Sequence, residues 1–316
     1  MQVMAAGHLI TIKDSWTIKM NRILPGLIWM ILWILSWLPG FILRFLSYLL
    51  NAIVFVFFRY RHEVVRANLD RSFPELSLLE RQRIGEKFYQ HFSELFLEMI
   101  LLIRLRPKKS SRRLRLINPE ILADALQKKQ NIILIGGHYG NWEWNVPLLL
   151  ASGYRVLAVY KPQSSRFADQ LMKNIRQRPG VVLVPMKDTL RMVSNEQKGN
   201  NSPFALLLIA DQIPAWGDIR FWTPFLNQNT AFFTGAEKLA IRFNLPVYYV
   251  DQIKNGFGSY EARMTLAYDG ISPTGKGDIT RTFVSLLEKS IRQLPHLWLW
   301  SHRRWKYRNE ELPLSA

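Results

Sequence analysis

Two regimes of apolar patterning divide the chain. Residues 24–43 read "LPGLIWMILWILSWLPGFIL", twenty positions without a charge. Arg44 interrupts, and a second apolar run, "FLSYLLNAIVFVFF", follows over 45–58 before the basic "RYRHEVVR". The first run has about the length needed to cross a ~30 Å hydrocarbon layer. It predicts a membrane helix that Pro39-Gly40 kinks or ends. The second run then lies along the interface or completes a hairpin. A cleaved signal peptide fits poorly, because no small-residue cleavage site follows. A buried core helix is the competing reading.

Past Pro74 the period becomes helical. Ser77 and Glu80 form a capping box. Ile84, Phe88, Phe92, Leu95, Phe96 and Met99 then recur on one face, either as the core side of a long helix or as the wall of a lipid-chain groove. "RLRPKKSSRRLR", residues 104–115, carries seven basic residues and no acid: a solvated linker, or a patch for anionic headgroups.

From about residue 120 short apolar runs of strand length alternate with helical stretches. The runs are "NIILIGG", "YRVLAVY", "VVLVP", "FALLLIA" and "LPVYYV". The helical stretches fall near 142–152, 166–177, 187–196, 235–244 and 279–293. This pattern predicts an α/β fold, a mainly parallel sheet flanked by helices, with an N-terminal transmembrane or interfacial helical segment. A turn at Asn255-Gly256 predicts an antiparallel hairpin that closes one edge. The expected organisation is an unassigned extension over 1–22, a membrane anchor over 23–60, a helical region with a basic linker over 61–119, and an α/β core over 120–316.

Composition narrows the partners. The formal charge of +18 over 316 residues suits polyanions: nucleic acid, anionic lipid or an acidic carrier protein. Eleven tryptophans suit a membrane interface. The absence of cysteine removes disulfides, thiolate metal sites and cysteine nucleophiles together. No metal-ligand spacing is present in the sequence, and no cofactor is expected.

Polar groups stand after three of the apolar runs, where parallel sheets place their sites. They are His138 in "GGHYGNWEW", Tyr160-Lys161, and Asp211. Positions five apart lie about 140° around a helix, so His138 and Glu143 meet only if the glycines bend the entry. With Asn141 capping a helix from Trp142, Glu143 could reach back to one imidazole nitrogen and leave the other as a base. A structural histidine is the competing reading. Asp211 could fix an arginine, organise the floor of a site, or cap a helix. In "WLWSHRRWK" the cations Arg303, Arg304 and Lys306, with His302, stand among three tryptophans. That mixture suits stacked bases and phosphates or, with an apolar anchor, lipid headgroups and a phosphorylated sugar.

"GGHYGNWE" resembles the His-x4-Asp/Glu signature of membrane acyltransferases. "NLDRSFPELS", "ADQIPAWG" with "TPFLNQNTAFFTGAEKLA", and "PHLWLWSHRRWK" follow in an order that resembles the late acyltransferases of lipid A biosynthesis, over about residues 25–308. The resemblance implies a membrane-anchored enzyme with a cytoplasmic active site at the inner membrane. It implies transfer of a fatty acyl group from an acyl-carrier-protein thioester, or acyl-CoA, to a hydroxyl of a glycolipid acceptor. His138 would be the general base and Glu143 its orienting acid, in direct transfer without a cysteine acyl-enzyme. Arg176, where relatives also keep an arginine, would stabilise the oxyanion. Tyr160, Lys161, Arg303, Arg304 and Lys306 would hold substrate. Many relatives have "YRP" where this chain has Tyr160-Lys161-Pro162, which loosens the role of that cation. His302 as a second base, a phosphatidylinositol mannoside acceptor, and a non-catalytic polyanion-binding protein are the alternatives.

Overall fold

A computed structural model describes residues 26–104, 113–177, 180–199 and 202–307. The expectations for 1–22 and for most of the basic linker lie outside these residues. The apolar N-terminus divides at Pro39. Helix α1 (Gly26–Leu35) is short, and α2 (Gly40–Leu50) continues as a π-helix through Asn51–Phe57. The eighteen residues Gly40–Phe57 form the helix long and apolar enough to cross a membrane. Among the described residues the long apolar helix thus takes the second apolar run with the last four residues of the first. Proline lacks the amide hydrogen and fixes φ, and Pro39 stands at the N-cap of α2, where the first run is broken. Arg44 lies within α2, its guanidinium 5.9 Å from the Tyr48 ring.

Helices α3 (His62–Ser72) and α4 (Leu78–Leu102) follow, the second opened by the predicted Ser77–Glu80 capping box. After β1 (Leu114–Leu116) and α5 (Glu120–Gln127), β2 (Ile132–Gly136), β3 (Arg155–Tyr160), β4 (Val181–Pro185) and β5 (Phe204–Ile209) alternate with α6 (Asn145–Ala151), α7 (Arg166–Arg176) and α8 (Thr189–Lys198). A two-stranded β6 (Trp222–Phe225) and β7 (Gln228–Ala231), α9 (Gly235–Phe243), the hairpin β8 (Val247–Gly256) and β9 (Ser259–Tyr268), and α10 (Asp278–Gln293) complete the chain. The main sheet has seven strands in the order β1-β9-β8-β2-β5-β3-β4. All its pairs are parallel except β8–β9. The hairpin turns at Phe257-Gly258, later than the Asn255-Gly256 expectation, and β1 rather than the hairpin forms that edge. The sheet thus begins at Leu114, ahead of the boundary expected at 120.

Strand residues alternate between two buried layers. Ile133, Ile135, Leu157, Leu206 and Tyr249 pack with α9 and α10. Ile132, Leu134, Val156, Leu207 and Val250 pack with α5, α6 and the C-terminal end of α4. The second layer also holds charge. Glu98 of α4 is fully buried and accepts from Asn141 Nδ2, Tyr260 Oη and the Gly258 amide, each at 2.7 Å. Lys254 of β8 bonds Glu94 and stands 3.0 Å from His91 Nδ1. Burial, then the Lys254 charge, keeps His91 well below the ordinary histidine range, so it is neutral. Its other nitrogen, Nε2, then donates to Gly140 O at 3.3 Å.

This network ties α4 and the hairpin to the turn after β2. Removing one member strands the others in a low dielectric. Glu98→Ala is expected to cost roughly 3–5 kcal/mol of stability, against about 1 kcal/mol for loss of the exposed cap in Ser77→Ala. Denaturant unfolding of the two variants in detergent measures the difference; equal losses would contradict it.

Candidate active site

The register of the central strands sets the site. Gly136 of β2 pairs with Ile209 of β5, and the Ala210 amide donates to Gly136 O. Two residues further along both strands, His138 stands beside Asp211. The His138 backbone amide donates to Asp211 Oδ2 at 2.8 Å, and its Nδ1 lies 2.6 Å from Oδ1. Trp298 Nε1 donates to the same Oδ2 at 2.8 Å. Asp211 is 3% exposed. Burial alone would raise its pKa, but the imidazole charge and these three donors outweigh burial and hold it at about 2. An ionised Asp211 fixes the proton on Nδ1 and leaves Nε2 with its lone pair facing outward. Gln212 Nε2 stands 3.3 Å from that nitrogen, and Trp142 meets the ring edge-on at 4.9 Å.

The partner of His138 is therefore Asp211, and the expected Glu143 contact is not made. Glu143 turns instead to Arg176 of α7. Arg176 Nε donates to Oε2 at 2.9 Å and Nη2 donates to Oε1, a bidentate pair, while Trp142 Nε1 approaches Oε1 at 3.2 Å. Glu143 sits in a 3₁₀ turn, Trp142–Trp144, that points its carboxylate toward α7 and away from the imidazole. Asn141 does not cap that turn; its side chain reaches down to Glu98. Burial lowers the Arg176 pKa, but the Glu143 charge and hydrogen bonds more than compensate and raise it.

Two glycines make this packing feasible. A Cβ on Gly137 would lie 2.8 Å from Leu287 and 3.1 Å from Asp211 Oδ2, so a side chain there would push the carboxylate away. Gly140 has φ +61°, and a Cβ would meet Gln252 Oε1 at 2.6 Å. Gln252 uses that oxygen to accept from the Asn141 amide, and its Nε2 donates to Asn141 O and to Asn145. On the other side the C-terminal segment is zipped to the turn: the Gly140 amide donates to Leu297 O, and the Leu299 amide to His138 O.

His138, Glu143, Arg176, Tyr160 and Lys161 line one cavity of about 280 Å³. Its walls are apolar below the mouth: Val146, Ala158, Leu183, Leu207, Ile209 and Leu239. The basic tail is not part of it. Arg304 is 1% exposed, donates to Ala231 O at 2.6 Å and lies 4.4 Å over the Phe232 ring. Burial brings its pKa down to about 9. Arg303 and Lys306 are exposed and line a separate groove with Glu63, Ala67 and Arg71 of α3. His302 is held neutral, pushed by burial to about 4, and its carbonyl accepts from Asn68. Sequence reasoning missed Trp298 and Gln212 as members of the site. Both lie inside quoted motifs, but only the fold shows which atoms they meet.

An apolar cavity lined by a carboxylate-oriented histidine is an arrangement suited to acyl transfer. The class is that of the acyltransferases. A model of the bacterial lipid A biosynthesis acyltransferases matches residues 13–307, and the chain belongs to that family. It is 25% identical to the lipid A biosynthesis lauroyltransferase of Escherichia coli (strain K12), over 90% of this chain and 91% of that enzyme. It is 21% identical to the lipid A biosynthesis palmitoleoyltransferase of the same organism, over 88% of this chain and 89% of that one. Among solved structures, the 1-acyl-sn-glycerophosphate acyltransferase PlsC of Thermotoga maritima covers 81% of this chain and 97% of its own, at 13% identity and a TM-score of 0.37, too distant to carry an argument.

The depressed Asp211 pKa has a pH signature. A carboxylate held below its unfolded value of ~3.9 contributes stability above that pH and loses it as pH falls toward the folded value. With Asp211 at about 2, the contribution is roughly 2 kcal/mol at neutral pH. Asp211→Asn should lose that much near pH 7, and its deficit relative to wild type should shrink between about pH 5 and pH 2. Thermal unfolding across that range measures it; a deficit independent of pH would refute the assignment.

Proposed function

We propose that this acyltransferase moves a fatty acyl group from a thioester donor to a hydroxyl of a lipid A precursor, with His138 as general base. One observation carries the proposal: the 2.6 Å His138 Nδ1–Asp211 contact at the mouth of the apolar cavity. The acceptor hydroxyl takes the place of Gln212 beside Nε2 and gives its proton to that nitrogen as its oxygen attacks the thioester carbonyl. The tetrahedral intermediate collapses, the carbon–sulfur bond breaks, and the imidazolium returns the proton to the leaving thiolate. Asp211 fixes the tautomer and stabilises the imidazolium, the role first read for Glu143.

Glu143 has a different task in this scheme. It holds Arg176 by two parallel hydrogen bonds, which fixes a guanidinium on the cavity wall. Arg176 and the Gln212 amide, both lining the cavity, are the candidate donors to the developing oxyanion. The acyl chain lies along Val146, Leu183, Leu207 and Leu239, where each buried methylene contributes about 0.8 kcal/mol. Tyr160 and Lys161 stand at the same cavity and meet the polar part of donor or acceptor. The donor fitted to a chain of +18 is an acidic acyl carrier protein. The helix Gly40–Phe57 anchors the enzyme in the inner membrane, and the basic residues after it keep the α/β core on the cytoplasmic side.

The roles predict a graded series in acyl transfer by purified enzyme. His138→Ala loses about 10²–10⁴-fold in kcat. Asp211→Ala should approach that loss, whereas Glu143→Gln should fall short of it and act through Arg176. Mass spectrometry of lipid A from cells with and without the gene should show one added acyl group; an unchanged lipid A, with acyl transfer to another glycolipid, would overturn the acceptor. Near-normal turnover in folded His138→Ala would overturn the mechanism.

A further inference from the structure

A second cavity stands apart from the catalytic one. It holds about 640 Å³ where α2 meets α3 and α4. Three features set it apart. The first is its depth. Gly40–Phe57 spans about 27 Å at 1.5 Å per residue, close to the hydrocarbon thickness, so the residues just after it fall at headgroup level. The second is the irregular backbone beside it. Asn51–Phe57 is a π-helix, and Arg59 and Arg61 both adopt the left-handed region at φ 50° and 55°. Such conformations cost energy for residues with a Cβ and collect at functional sites.

The third feature is the wall chemistry. Phe55, Val56, Val65 and Leu69 supply an apolar side. Arg59, Arg66 and Arg81 face the carboxylates Asp70 and Glu86 on the other. Arg81 is committed to Asp70 at 2.8 Å and to the Phe73 and Leu76 carbonyls, and Arg66 stands 3.7 Å from the same Asp70. Among the described residues Arg59 has no carboxylate partner. His62, stacked on Tyr89 at 4.9 Å, is pushed down by burial and then by the Arg59 charge, so it adds no competing cation near neutral pH.

We propose that this cavity binds one glycerophospholipid of the surrounding bilayer. The phosphodiester sits against Arg59, and one chain lies along Phe55 and Val56. This rests on the anchoring proposed for Gly40–Phe57. The bound lipid would brace α3. Positions 62, 65, 66 and 69 of that helix line the cavity. A neighbouring face carries Asn68, which donates to the carbonyls of Trp300 and His302 in the segment zipped to the His138 turn.

The test uses the full chain purified in a non-ionic detergent, with dioleoyl-phosphatidylglycerol as the probe and native mass spectrometry as the readout. Wild type should retain one lipid. Arg59→Gln and Val56→Asp should each weaken retention, the first by about tenfold, with the KM for the glycolipid acceptor unchanged. Equal retention by wild type and both variants would overturn the proposal. So would competitive displacement of the phosphatidylglycerol by the acceptor together with a raised acceptor KM in Arg59→Gln, because the cavity would then be an acceptor subsite. Retention is read in detergent and does not depend on spanning. Alkaline extraction of membranes reports the anchoring separately: protein released there, with lipid retention intact, would sink the anchor and leave the site.

Discussion

A buried aspartate sets the geometry of the site. Asp211 is almost wholly removed from water, yet it stays ionised because the His138 backbone amide, the His138 ring and the Trp298 indole all aim hydrogens at its two oxygens. Those donors come from two separate parts of the chain, the end of β2 and the C-terminal segment, and the aspartate from a third, the end of β5. A charge in a low dielectric needs every one of them, so the three segments are held in one arrangement. The parallel register Gly136↔Ile209 brings the histidine and the aspartate to the same height, and Gly137 leaves the room for the carboxylate.

The same turn is gripped from below. Gln252 and Glu98 take the polar groups of Asn141, and His91 takes the Gly140 carbonyl, while Leu297 and Leu299 bond the turn from the C-terminal side. His138 is thus carried on a loop with the hydrogen-bond density of a core element. A base must be within hydrogen-bond reach of the proton it takes, and a loop this constrained loses little to reorganisation when substrate arrives. The expense is a set of buried ionised groups in α4 and β8 that a purely structural layer would replace with leucine.

Much of this was legible in the sequence, and the exceptions have physical causes. The greasy runs gave the strands of a parallel sheet, and polar residues at their ends marked His138, Tyr160, Lys161 and Asp211 because parallel strands leave their carboxyl ends open. Pairing was not legible. Glu143 is near His138 in sequence, but a 3₁₀ turn sends it to Arg176, whereas Asp211 is brought over by sheet order. Chain proximity is a poor guide wherever the contact crosses between strands. Arg304 read as a cation that holds substrate, yet Ala231 O and the Phe232 ring receive it in the interior. The β6–β7 hairpin went unread because its two-residue turn places Leu226 and Asn227 at positive φ, and leucine gives no turn signal. The long apolar helix is 40–57 and not 24–43 because composition extends through Pro39 while the helix does not.

The central claim is that Asp211, and not Glu143, sets the tautomer of His138. Nitrogen-15 NMR of the histidine-labelled enzyme reads it directly, since protonated and bare ring nitrogens resonate far apart and His138→Gln assigns the signal. At a pH where the ring is uncharged, the account predicts its proton on Nδ1 in wild type and in Glu143→Gln, and loss of that single tautomer in Asp211→Asn. A tautomer that survives in Asp211→Asn and is lost in Glu143→Gln would contradict it.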